Sequence, residues 1–158
     1  MVDEIWYQNK LHVYSVNEDQ FQEFFEKVKN PDNDTELSFN KLKPCPYKLT
    51  DKELINKDGA KQTVQTAGDE WCSWTRHHWG PVFDVKAKIE DSGNGYAIYS
   101  FESGDYPPID WIRNIATDYP DLHFILKYEL ENYFTIGVFK AHGDDNCNNN
   151  IEYSDSRY

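Results

Sequence analysis

The stretch VFDVKAKIEDSGNGYAIYSFE, Val82 to Glu102, carries two periodicities joined by a turn. Phe83, Val85, Ala87 and Ile89 alternate with Asp84, Lys86, Lys88 and Glu90, which reads as a strand with one wet face. DSGNG is turn chemistry, and YAIYSFE returns with Ala97, Tyr99 and Phe101 on one side, so the whole reads as a β-hairpin. A hairpin with one apolar face needs a second layer to cover it.

Both flanks supply that layer. Upstream, Leu11 and Val13 alternate with His12 and Tyr14, predicting a strand near residues 9–15. A helix follows, with Asn17 as N-cap, Gln20 at N3, and Val16 and Phe21 at the positions of a hydrophobic staple. Phe21, Phe24, Phe25 and Val28 form its apolar face, Glu18 and Asp19 sit in the first turn, Lys27 and Lys29 in the last, and Asn30-Pro31 ends it. Downstream, Pro107 and Pro108 suit a helix entry. Ile109, Trp111, Ile112, Ile115 and Ala116 then share a face until just before Pro120. Leu122, Phe124, Leu126, Tyr128 and Leu130 line one side of a further strand, and YFTIGVF pairs with it across a turn at Glu131 and Asn132. The segment EWCSWTRHHW, residues 70–79, places Trp71, Trp74 or Thr75, His78 and Trp79 on one helical face.

The expected fold is α+β: a ferredoxin-like βαββαβ sandwich whose antiparallel sheet gains an extra C-terminal strand. A single domain spans residues 1–142, with an irregular basic insertion at about 41–68 before the central hairpin. Residues 143–158 read as a loose polar tail.

At 158 residues the chain fits one domain, and 5 Trp, 11 Tyr and 9 Phe exclude a disordered acidic protein. Sixteen basic against 28 acidic residues give a net charge of −12, which disfavours a generic polyanion or anionic-membrane binder. The charge is uneven. Lys41, Lys43, Lys48, Lys52, Lys57 and Lys61 make the single basic stretch, between two acidic segments. The N-terminus has no apolar leader core and no apolar run is long enough to span a bilayer, so a cytoplasmic protein without membrane contact is expected. Cys45, Cys72 and Cys147 form no CxxC pair; a reducing compartment is the simpler reading, with a Cys45–Cys147 or other bridge left open.

Four ordered blocks resemble the YubB-type ferredoxin-like domain family, proteins of bacterial plasmids, phages and other mobile elements. They are LSFNKLKPCP, WCSWTRHHWG, FES with the following paired prolines, and DWIRNIATDYPDLHFILKYE. The matching positions are Phe39, Leu42, Pro44 and Pro46; Trp71, Cys72, His78, Trp79, Gly80 and Asp84; Phe101, Pro107 and Pro108; and Tyr119, Pro120, Leu122, Phe124, Tyr128 with Glu129 or Glu131. Pro81, Val82 and Phe83 depart from the family's Thr-Lys-Trp, and Ser103 to Tyr106 from most of its Thr-Ala-Trp-Ser. The resemblance implies a fold and a mobile-element origin and assigns no catalytic residue.

Three kinds of site compete. Carboxylates on the outer faces of the two principal helices, Glu18, Asp19, Glu23 and Glu26 with Asp105, Asp110, Asp118 and Asp121, would form one negative surface if both helices cover the same side of the sheet. Such a surface suits a basic protein partner, by mimicry of nucleic-acid phosphates. Trp74 and Tyr106 are its candidate aromatic contacts, with Tyr96 and Tyr99 beside them around the hairpin; the three tyrosines read equally as residues of a half-wet sheet, while Trp71, Trp79 and Trp111 read as core. The expected function is therefore a non-catalytic protein-binding module of a mobile element, acting on a host defence or nucleic-acid-handling protein, with no cofactor. The alternative is nucleic-acid binding through the open sheet face, which needs a basic patch and finds one only at residues 41–61. The third is a hydrolase or metal protein around Cys72 and His78, with His142 and Asp144 as distant ligands. His77 and His78, being adjacent, cannot both face Cys72.

Overall fold

The computed structural model describes residues 5–130 and 135–152, which form an α+β fold. Six strands build one antiparallel sheet: β1 (Trp6–Tyr14), β4 (Lys88–Gly93), β5 (Tyr96–Gly104), β6 (His123–Leu130), β7 (Thr135–His142) and β8 (Asp145–Glu152). Their order is β4-β5-β1-β6-β7-β8, and β2 (Thr50–Ile55) with β3 (Lys61–Thr66) makes a separate hairpin. The helices are α1 (Glu18–Lys27), the single turn α2 (Phe39–Leu42), α3 (Asp69–His78) and α4 (Ile109–Asp118).

In α1 the Asn17 side chain accepts from the Gln20 backbone N–H at 3.1 Å, as an N-cap should. The staple expected of Val16 does not form, and Val16 is fully exposed. Ser15 sets the entry instead: its hydroxyl accepts from Asn17 N–H at 3.0 Å and donates to the Asp121 carbonyl at 2.9 Å, turning Val16 outward. Phe21, Phe24 and Val28 point inward, as do Trp111, Ile112, Ile115 and Ala116 of α4. Both helices cover one face of the sheet. Phe24 meets Tyr99 and Phe124 edge-on, with ring centroids 6.5 and 5.7 Å apart, and Phe39 packs between Phe101 and Trp111. Each such fully buried side chain contributes about 1.5–3 kcal/mol of transfer free energy.

Three further expectations change. The alternation from Phe83 to Glu90 is only partly strand: β4 begins at Lys88, and Phe83 is half exposed. Asp84 and Ala87 are bonded to the start of α2 and to the segment before it. Asp84 accepts from the Ser38 hydroxyl and from the N–H groups of Phe39 and Asn40, Glu36 N–H donates to the Ala87 carbonyl at 3.1 Å, and Ala87 N–H donates to Thr35 Oγ1 at 2.8 Å. The basic insertion is not irregular throughout, because β2 and β3 pair across it in register from Thr50↔Thr66 to Ile55↔Lys61. Nor is the segment after Gly143 a loose tail as far as Glu152. It is β8, hydrogen-bonded along the whole of β7, which is therefore an interior strand. The expected turn at Glu131 and Asn132, the strand residues Tyr133 and Phe134, and residues 153–158 lie outside the described residues.

Two glycines are fixed by close approach. Gly95 closes the β4–β5 turn at φ +79, where a Cβ would come within 2.7 Å of the Ser15 carbonyl oxygen. Gly137 lies under the Tyr128 ring, 2.0 Å from where a Cβ would be. Across it Tyr128 donates its hydroxyl proton to Asn148 Oδ1 on β8 at 2.8 Å, so one side chain ties three strands together.

Candidate binding surfaces

Some of the residues that carry the family resemblance, Phe39, Trp71, Trp79, Gly80 and Pro107, meet around Trp111, and what they do there is structural. Three buried indoles each donate N–H to a backbone carbonyl: Trp71 to Val82 at 2.8 Å, Trp79 to Lys43 at 2.9 Å and Trp111 to Phe39 at 3.1 Å. Gly80, at φ +97, lies against the Pro107 carbonyl, leaving 2.9 Å for a Cβ, and Trp111 N–H reaches the Trp79 carbonyl at 3.2 Å. Indoles bury large areas only when the N–H finds an acceptor, so Trp71, Trp79 and Trp111 are core residues. Trp74 is half buried, stacked on His78 with centroids 4.1 Å apart and edge-on to Trp79.

The candidate acids divide by position. At the start of α1, Asp121 accepts from the Asn17 side-chain amide at 2.8 Å, and its N–H donates to Gln20 Oε1 at 2.8 Å. The corner between α4 and β6 is thus tied to the helix start that carries Glu18 and Asp19. Glu23 and Asp118 both lie near Tyr119, whose phenol is pushed up by burial and further by these two carboxylates, against the opposing Lys27. Two of these acids are partly neutralised: Glu23 pairs with Lys27 at 2.8 Å and Asp118 with Lys43 at 2.7 Å. Glu26 accepts from Gln22 at 2.7 Å, and Glu18 and Asp19 are exposed. Asp105 and Tyr106 lie at the other end of the sheet, beyond Gly104, which pairs with Trp6. Asp105 has φ +67 and bonds through its N–H to the Ile5 carbonyl; Tyr106 is exposed. Asp110, in the first turn of α4, pairs with Arg113 at 2.9 Å. The structure therefore gathers Glu18, Asp19, Glu23, Asp118 and Asp121, and sets Asp105, Tyr106 and Asp110 apart from them.

The cysteine and histidine candidates separate too. His78 bonds the Trp74 carbonyl through Nδ1 at 2.8 Å and His77 the Ser73 carbonyl at 2.6 Å, so each ring is turned back along α3. Cys45, Cys72 and Cys147 are free thiols, and no group of three metal-ligating side chains occurs among the described residues. His142 belongs to a different face of the molecule.

That face is the side of the sheet that no helix among the described residues covers, and its composition is not apparent along the sequence. Strand register aligns its side chains in rows. Lys88, Ser100, Lys10, Lys127 and Val138 form one; Ile98, His12, Ile125, Lys140 and Cys147 the next; Tyr96, Tyr14, His123, His142 and Asp145 the third. In the third row the Tyr14 and His123 rings lie 4.8 Å apart at 8°, and those of His123 and His142 3.8 Å apart at 3°, a continuous three-ring stack. Burial, with His142 beside it, holds His123 below the usual imidazole range; burial, then Lys127 and Lys10, do the same to His12, against the opposing Glu90. Lys10 pairs with Glu90 at 3.0 Å, whereas Lys88, Lys127 and Lys140 hold no ion pair among the described residues. These four lysines are spread over 130 residues of chain and meet only through strand pairing. The out-facing positions of the alternating strands were the signal that would have found them.

No protein-family model, curated protein or solved structure matches the chain. No helix among the described residues is long and apolar enough to cross a membrane.

Proposed function

We propose that the chain is a ferredoxin-like domain from a bacterial mobile element that acts in the cytoplasm as a non-catalytic binding module, its acidic helix layer engaging a basic host protein. The fold assignment draws support from connectivity. Helix α1 links β1 toward β4, α4 links β5 to β6, and the four strands stand in the order β4-β5-β1-β6, with β7 and β8 added at one side. The mobile-element origin rests on the resemblance of the four sequence blocks.

The observation that carries the binding reading is the tie between Asp121 and the start of α1, which draws carboxylates of two helices around Tyr119. Exposed acids held at fixed spacing attract and orient a basic surface, and the gain is chiefly in association rate and selectivity.

The test is affinity capture from bacterial lysate at low salt, comparing the natural chain with a Glu18→Lys, Asp19→Lys variant, with captured proteins identified by mass spectrometry. A defined set of basic proteins retained by the first and released by the second is expected. Identical captures from both would refute the reading.

A further inference from the structure

The open face of the sheet lies opposite the acidic helices and differs from them in chemistry. From it we infer a second binding site, for single-stranded nucleic acid: Lys10, Lys127 and Lys140 neutralise backbone phosphates while a base extends the ring stack of Tyr14, His123 and His142.

The charge argument is local. Lys10 and Lys127 are direct cross-strand partners, and Lys140 lies one strand further on, opposite Ile125 in the adjoining row. Lys127 and Lys140 have no carboxylate partner among the described residues, so an incoming phosphate displaces no existing ion pair from them. The acids of this face lie around these cations. Glu90, bound to Lys10, and Asp91 are on the edge strand β4, Asp145 is on the edge strand β8, and Glu102 and Glu129 flank Gln8 at the end of the sheet away from the rings. The cations thus lie between the two edges, next to the rings.

The rings select the polymer. Acidic residues match lysines equally well but have no flat π-face to add to a stack. Unpaired bases do, and base–aromatic stacking is tolerant of sequence. Tyr14 is 43 % exposed and its row neighbour Tyr96 is turned toward Gly93 and Asp91, which leaves the Tyr14 end of the three-ring stack to a further ring, while Asp145 follows His142 at the other end. The His142 ring is held in place by its Nδ1 against the Leu122 carbonyl at 3.0 Å, which fixes the platform before any ligand arrives. A duplex hides its base faces and would reach only the lysines. The site is independent of the acidic helix layer, and the failure of either leaves the other standing.

The experiment is fluorescence anisotropy of a labelled 12-nucleotide oligo(dT) against the full chain at low salt. Lys127→Glu with Lys140→Glu should weaken binding at least tenfold and lower the slope of log K against log salt by about 0.7 for each lysine lost. Tyr14→Ala should weaken it about five- to a hundredfold, as the loss of one stacked base requires. Lys52→Glu, on the β2–β3 hairpin, should change affinity by less than the sheet variants do, and circular dichroism of each variant should match that of the natural chain. Four results would overturn the proposal: no binding at low salt; equal or greater loss with Lys52→Glu, which moves the contact to the basic insertion; displacement of the oligonucleotide by polyglutamate at equal charge concentration, which makes the ligand an acidic peptide; or a concentration-dependent dimer broken by Tyr14→Ala, which makes the face a contact between copies.

Discussion

The two sides of the six-stranded sheet are made by the same strands and the same alternation, yet they do different work. The covered side holds Leu11, Val13, Tyr99, Phe101, Phe124, Leu126 and Phe139, all nearly or fully inaccessible. The open side sets Lys10, His12, Tyr14, Ile125, Lys127 and Lys140 between those positions. One side is specified by what folding requires. The other is free of that requirement, and its lysines and stacked rings are the groups that the inferred nucleic-acid site would use.

The largest effect that would probe this division is removal of a ring from the covered side. Phe24→Ala, which deletes contacts to Tyr99, Tyr119 and Phe124, should lower unfolding free energy by about 3–5 kcal/mol in urea titration, whereas Lys127→Ala should stay within about 0.5 kcal/mol. Comparable losses from the two would abolish the distinction. Next in size is Gly137→Ala. The new methyl must displace Tyr128 and with it the bond to Asn148, at a cost of about 1–3 kcal/mol, and amides of β8 should lose hydrogen-exchange protection before those of β1.

The smallest effect is a pH dependence confined to the open side. His12, facing Lys10, Lys127 and Glu90, and His123, facing His142 and Tyr14, both have folded values below 6.5. Their unfolded forms therefore bind more protons as pH falls, and the stability they contribute is present above about 6.5 and lost as pH drops through the folded values. The urea midpoint should fall modestly between pH 7.5 and 5.5, and His12→Gln with His123→Gln should flatten that fall. An unchanged slope in the double variant would assign the titration elsewhere.

Much of the covered side could be read from the chain. Phe21, Phe24 and Val28 announce α1, Trp111, Ile112 and Ile115 announce α4, and the alternation Leu122 to Leu130 matches β6, because each element has one buried stripe and one wet one. The strands β2 and β8 escaped for the converse reason. Every residue of β2 is exposed, as are Asp145 to Ile151 of β8, so neither TDKELI nor DNCNNNI has a buried face to leave an apolar period. The candidate acids were visible as residues, but whether Glu23 and Asp110 engage Lys27 and Arg113 one turn on depends on rotamers, and the pairing of Asp118 with Lys43 joins segments far apart in the chain. The lysines of the open face were hidden by the same distance in sequence, while a window over residues 41–61 marked the insertion instead.

The β2–β3 hairpin leaves and rejoins the body at one point, since Thr50 and Thr66 are register partners and the Thr66 hydroxyl donates to the Thr50 carbonyl at 3.0 Å. On either side of that neck the chain is clamped, by the Trp79 indole on the Lys43 carbonyl and the Trp71 indole on the Val82 carbonyl. The loop-closure penalty grows only slowly with the length of what lies between such clamps. The hairpin is thus a cassette: the molecule can exchange, shorten or enlarge it, or accept a foreign domain at its tip, without redesigning a single core contact.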